Sequence, residues 1–129
     1  TKERHESPGE NVDHERFKEE ILIPLSKHED VKLRRFNCST KSIESAILIP
    51  YKPFNIIEGS YSMHSRLQKY YDFSVFLTVN KDEQIERLRK RNPKMLNNFI
   101  QQWIPLEEAY FNTFSIQDKC NIQIDTSKA

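Results

Sequence analysis

Apolar residues Phe17, Ile21, Leu22 and Leu25 recur at helical spacing behind Asp13, which predicts a helix capped by that aspartate and ended or kinked at Pro24. Ahead of it, Thr1 to Val12 is polar, contains Ser7-Pro8-Gly9 and shows no periodicity, so it predicts a loop. Polar Lys27 to Asp30 predicts a turn. Val31 to Phe36 and Ile43 to Ile49 are apolar and rich in β-branched residues, and the polar tip Asn37 to Ser42 joins them into a predicted hairpin. Pro50 and Pro53 then break the chain before F-N-I-I-E-G-S-Y, Phe54 to Tyr61, where a strand-forming run stops abruptly at Glu58-Gly59.

Downstream, Phe73 to Val79 is a near-continuous apolar run of the kind buried on both faces of a parallel sheet. Asn80 or Asp82 starts a helix that becomes strongly basic towards its end. Asn92-Pro93 supplies a cap and first residue for the next helix, which carries Leu96, Phe99, Ile100, Trp103, Tyr110, Phe111 and Phe114 on one face, with a kink expected at Pro105. Asn121 to Ile124 predicts a short terminal strand. From Phe54 onward strand, helix and strand alternate, which implies βαβ crossovers and a mostly parallel sheet.

Composition narrows the function classes. At 129 residues, with 36% apolar and 30% charged residues, the chain has a one-domain length and enough apolar material for a modest core. Its 20 basic and 19 acidic residues leave a net charge of +1, which argues against a dominant nucleic-acid or membrane field, so any basic site must be local. Cys38 and Cys120 lack metal spacing and no secretory signal precedes them, the pattern of reduced thiols in a cytoplasmic protein. No apolar run approaches the roughly 18 residues of a membrane span. The chain opens at Thr1 without a methionine and in a charged, loop-like segment, as expected for part of a longer protein.

Two features carry candidate chemistry. Glu58 presents a carboxylate at an expected strand tip, where ligands sit in open α/β sheets and where an acid can orient Mg²⁺ and its waters; an ordinary strand and turn fit the same string. Arg87, Arg89, Lys90 and Arg91 crowd one helix end, with Arg87 and Arg91 one turn apart and able to grip one polyanion, although cations also suit a helix C-terminus as such. Asn11 and Asp13 equally read as turn and cap residues. Trp103 and the aromatic stripe around it read as core, and His5, His28 and His64, without ligand spacing, as surface residues.

Five segments in order carry a resemblance that spans nearly the whole chain: N-V-D-H-E-R-F at Asn11 to Phe17, the hairpin around Arg35-Phe36-Asn37-Cys38, I-I-E-G-S-Y at Ile56 to Tyr61, Y-Y-D-F-S-V-F-L-T-V at Tyr70 to Val79, and R-L-R-K-R-N followed by W-I-P-L-E and I-Q-I. Together they resemble the C-terminal two thirds of the uridine kinase and phosphoribulokinase group of P-loop kinases. The resemblance implies a partial P-loop NTPase fold of the nucleoside-monophosphate-kinase-like type: an α/β, three-layer arrangement with a mostly parallel sheet lacking its N-terminal P-loop strand and helix. An acceptor-binding segment and hairpin would occupy 1–53, and a strand, lid and C-terminal helix core 54–129. It also implies transfer of the ATP γ-phosphoryl to a nucleoside hydroxyl, uridine or cytidine, with Mg²⁺. Asp13 and His14, with Asn11, match the segment that contacts the acceptor's ribose. Phe36 and its neighbour Asn37 match the hairpin that packs on the nucleobase. Glu58 matches the strand-end acid, acting on Mg²⁺ through bound water, and Arg87 and Arg91 resemble lid arginines.

The departures matter too. No GxxxxGK[ST] occurs in these residues, and an acid following the family's second strand is missing, so the fragment alone is expected to be inactive. Phe36-Asn37-Cys38 stands where authentic uridine kinases carry tyrosine-aspartate-phenylalanine, and Lys41 about where they carry a histidine. The missing central strand predicts that Phe54 to Ile57 and Phe73 to Val79 are core strands separated by a gap, open or filled by another chain in a homo-oligomer. A rival from another class is a non-catalytic regulatory module that keeps the scaffold and binds an anion or nucleotide through its arginine cluster.

Overall fold

A computed structural model describes residues 6–128 of the chain. They fall into two compact units, one of residues 12–71 and one that joins 6–11 to 72–128. The expectation for His5 lies outside the described residues.

In the unit of residues 12–71 the capped helix forms as its sequence predicts. The Asp13 carboxylate accepts the Arg16 N–H at 3.1 Å, satisfying one of the donors that a helix start leaves open. Helix α1 (His14–Phe17) passes through a π-helical turn (Lys18–Leu22) into α2 (Ile23–Ser26). Pro24 therefore does not end the helix. A proline lacks the N–H of the regular ladder and its ring crowds the carbonyl one turn back; the wider turn, in which the Ile23 N–H reaches the Lys18 carbonyl, makes room just before the ring.

The hairpin appears where expected, in two rungs. Strands β1 (Val31–Leu33) and β4 (Ile47–Ile49) pair antiparallel with Val31 opposite Ile49, and β2 (Phe36–Asn37) pairs with β3 (Ser42–Ile43) with Phe36 opposite Ile43. Leu22, Val31 and Leu67 are the buried apolar residues of this unit, joined by the buried His14 and His64. The expected strand at Phe54 to Ile57 is absent: the segment belongs to no ladder, and Phe54 and Ile56 are both 79% exposed. Strand backbone needs a neighbour for its N–H and C=O groups, none of the described strands pairs with this segment, and Pro53 removes a donor at the point of entry.

In the second unit β5 (Val75–Thr78) lies parallel to β6 (Ile122–Asp125), with Val75 opposite Ile122 and Leu77 opposite Ile124. Between them run α3 (Lys81–Arg91), a 3₁₀ turn at Pro93–Met95, α4 (Leu96–Asn98), a π-helical turn (Phe99–Trp103), α5 (Ile104–Thr113) and α6 (Ile116–Lys119). Asn80 caps α3 by accepting the Glu83 N–H at 2.9 Å. Pro105 repeats the solution found at Pro24, again two residues beyond a π-helical turn. Ile104, Tyr110 and Ile116 are buried, and Phe76 meets Phe111 edge-on at 5.1 Å, so α5 packs on one face of β5. The stripe reads only partly as core, since Ile100, Trp103 and Phe114 remain exposed at its border.

The chain is thus a small mixed α/β structure with short sheets. Of the three two-stranded sheets among the described residues one is parallel and two are antiparallel, where a mostly parallel sheet was expected. A hairpin tip as short as Asn37 to Ser42 permits only antiparallel pairing, and Phe54 to Ile57 adds no further strand. No helix among the described residues is long and apolar enough to cross a membrane.

Candidate functional site

The helix start in the unit of residues 12–71 is a junction of charges. Arg16 donates its Nε to Asp13 Oδ2 at 3.0 Å and an Nη1 proton to the Arg34 carbonyl at 2.6 Å, so one guanidinium ties the cap carboxylate to the base of the hairpin. One turn on, Glu20 receives the Arg34 side chain through Nε at 2.7 Å and through Nη2, takes the Arg34 N–H at 3.3 Å, and lies 3.6 Å from Arg16. The Arg34 side-chain hydrogen bond holds the Glu20 carboxyl below its ordinary pKa, against a desolvation effect in the other direction. Asp13, Arg16, Glu20, Leu33 and Arg34 frame a cleft of about 90 Å³. A second, apolar concavity of about 130 Å³ lies where Ile21 and Leu25 face Val31, Ile49, Ile56 and Ile57.

His14 is buried and stacks on His64, with ring centroids 4.0 Å apart and planes 20° from parallel. His64 accepts the Arg66 N–H on Nδ1 at 3.2 Å. The surface reading of His64 is therefore corrected: the segment after Gly59 turns back so that its histidine closes the unit's core. That loop is further fixed by Tyr71, whose hydroxyl donates to the Ser62 carbonyl at 2.7 Å and whose pKa burial pushes up to about 12.

The remaining candidates divide. Phe36 is exposed on β2. Asn37 organises the hairpin tip: its Oδ1 accepts the Ser39 and Thr40 N–H groups at 2.9 and 3.2 Å, and its Nδ2 donates to Glu44 at 3.0 Å. Glu58 is exposed, and its carboxylate makes no hydrogen bond or ion pair among the described residues. Gly59 beside it holds φ +155° with open space where a Cβ would stand. Asn11 belongs to the other unit and sits in a turn.

Arg87 and Arg91 do not converge. Arg87 donates to Glu83 Oε1 at 3.1 and 2.6 Å and to Thr126 at Oγ1 and the carbonyl at 3.1 and 2.5 Å, which clamps α3 to the exit of β6. Glu83 completes the clamp by accepting the Lys128 N–H at 2.7 Å, the main reason its carboxyl is held below the ordinary pKa, with the Arg87 hydrogen bond next. Arg91 instead sits over the Phe99 ring, 5.6 Å from its centroid. Arg89 and Lys90 both pair with Glu86.

The structure thus gathers Asp13 and His14 with the hairpin base and the turn after Glu58, and leaves each lid candidate with its own partner. Sequence reasoning passed over Arg16, Glu20 and Arg34. An Arg and a Glu four residues apart behind a cap was the available signal, but their target on the hairpin is a long-range contact. No protein-family model and no curated protein matches the chain.

Proposed function

We propose that these residues form the acceptor-binding and lid segments of an ATP- and Mg²⁺-dependent phosphotransferase that resembles uridine kinases. The supporting observation is local to residues 12–71: two of the segments that carry the resemblance meet there, together with the loop that follows a third. The helix start at Asp13 and His14 is bonded to the hairpin through Arg16 and Arg34, and stacked on the post-Glu58 loop through His64. At their meeting point the Asp13 carboxylate is held by Arg16 while 53% of its side chain stays open to solvent.

In this reading Asp13 accepts hydrogen bonds from a ribose diol and Phe36 offers its exposed ring to the base. The acceptor hydroxyl oxygen bonds to the γ-phosphorus as the bond to the ADP bridging oxygen breaks, and its proton leaves to a base that these residues do not supply. Mg²⁺, when bound, offsets phosphate charge. Glu58 suits such an ion through a bound water, since it is an exposed carboxylate with no competing partner among the described residues, and Mg²⁺ favours oxygen ligands and keeps its waters. Arg91 is one exchange away from a phosphate, leaving Phe99; Arg87 must first release Thr126. The rival, a non-catalytic anion-binding module, would demand the same release without the gain of a transition state. The phosphate-binding loop has to come from residues outside these 129.

The test is a steady-state assay of the encoded protein with ATP, Mg²⁺ and uridine or cytidine. Asp13→Ala should raise the acceptor KM about tenfold or more, from the loss of charge-assisted hydrogen bonds worth roughly 1.5–3 kcal/mol, and leave the ATP KM nearly unchanged. Equal effects on both substrates, or no transfer to either nucleoside, would overturn the reading.

A further inference from the structure

Both oxygens of the Asp13 carboxylate are addressed by one residue. Arg16 donates its backbone N–H to Oδ1 at 3.1 Å and its side-chain Nε to Oδ2 at 3.0 Å. A cap needs only the first of these contacts. The second fixes the carboxylate about its last torsion, which is otherwise broad and roughly two-fold. The same guanidinium is itself anchored: Nη1 donates to the Arg34 carbonyl at 2.6 Å and lies 3.6 Å from Glu20, whose other bonds hold the Arg34 side chain. Arg16 has 22% of its side chain exposed and Glu20 16%, against 53% for Asp13, so the support is sheltered while the group it orients faces water.

We infer that Arg16 is a positioning residue for the acceptor site. It presents the Asp13 carboxylate in one orientation towards a vicinal diol and sets the distance from that carboxylate to the hairpin that carries Phe36. The inference rests on the proposed phosphotransferase reading and adds to it a residue that touches no substrate. The planar fork of Arg is what the geometry uses, since Nε and Nη1 reach two acceptors in fixed directions; a lysine offers a point charge on a flexible stem and cannot serve both.

The experiment compares Asp13→Ala, Arg16→Ala, Arg16→Lys and the Asp13→Ala, Arg16→Ala double variant of the encoded protein. KM values for nucleoside and ATP, kcat and urea midpoints are measured for each. Arg16→Ala should raise the nucleoside KM roughly tenfold with a much smaller change in ATP KM and kcat, a loss typical of one charge-assisted hydrogen bond. Arg16→Lys should recover little of it. In the double variant the nucleoside KM should equal that of Asp13→Ala alone, because Arg16 acts only through the missing carboxylate. A structural role alone would lower the urea midpoint and add to the Asp13→Ala effect instead. Should Arg16→Ala fail to fold, Arg34→Ala takes its place: it removes the side chain that anchors Glu20, keeps the carbonyl that accepts from Arg16, and should raise the nucleoside KM in the same selective way. A selective Asp13→Ala effect with no effect of either arginine overturns this inference and leaves the kinase reading standing. No phosphotransfer, or an unselective Asp13→Ala effect, overturns both.

Discussion

Single residues were legible where their work is local. Asp13 and Asn80 are caps because a short side-chain oxygen before an amphipathic run meets the N–H three residues on, and both contacts are present. Burial of His14 and His64 was not legible, since a stack closed between a helix start and a loop leaves no periodic trace. Gly59 lies between these cases. Its placement after Glu58 marked a special position, and the structure gives the reason as backbone: φ is +155°, and nothing lies within 4 Å of an added Cβ. Gly59→Ala should therefore destabilise through conformation and not through a clash, by about 1–3 kcal/mol, the range for a residue held in a glycine-favoured region. The urea midpoint measures it, and an unchanged midpoint would mean that the turn after Glu58 does not need this conformation.

At the scale of elements, the pattern located both long helical stretches, the hairpin and the strands at 75–78 and 122–125. It misjudged the prolines and the strand at Phe54. Pro24 is expected to end or kink its helix and Pro105 to kink the next, and each is carried instead by a π-helical turn ending two residues earlier, so neither helix stops there. Phe54 to Ile57 has strand-forming residues but no strand partner among the described residues, and pairing is a property of two segments. The basic end of α3 was read for its charge, and the structure adds a clamp that sequence spacing could not reveal, because Thr126 and Lys128 lie some 40 residues away from Arg87 and Glu83. That clamp has a pH signature. The folded state holds the Glu83 pKa below its ordinary value of 4.5, so the contact contributes stability that is fully present above 4.5 and is lost as pH falls through the lowered value. Glu83→Gln should lower the thermal midpoint at pH 7, and the gap to the parent should narrow once pH drops below 4.5. A gap that stayed constant from pH 7 to pH 3 would remove Glu83 from the acid response.

For the molecule as a whole, two absences decide what these residues can do alone. Parallel strands are ordinarily covered on both faces, but among the described residues Phe111 packs on the Phe76 side of the β5 and β6 pair while Val75, Leu77, Ile122 and Ile124 are exposed on the other. In the proposed reading the second absence is the phosphate loop: the only glycines are Gly9 and Gly59, and no GxxxxGK[ST] occurs. Arginines act on a transferring phosphoryl by electrostatic preorganisation around a charge that something else must already hold in place. The 129-residue chain should therefore bind ATP weakly and release no ADP in the presence of uridine or cytidine. In a longer encoded polypeptide that supplies the loop, Arg91→Ala should cut kcat by about 10²-fold, the loss typical of removing one transition-state charge stabiliser. Arg87→Ala should cost both kcat and thermal stability, because its guanidinium also clamps α3 to Thr126. A coupled ADP-release assay with parallel melting curves separates the two arginines. Turnover by the 129 residues alone would refute the need for a phosphate loop from outside them, whereas an unchanged kcat in the longer Arg91→Ala variant would leave the cluster as cations gathered at a helix end.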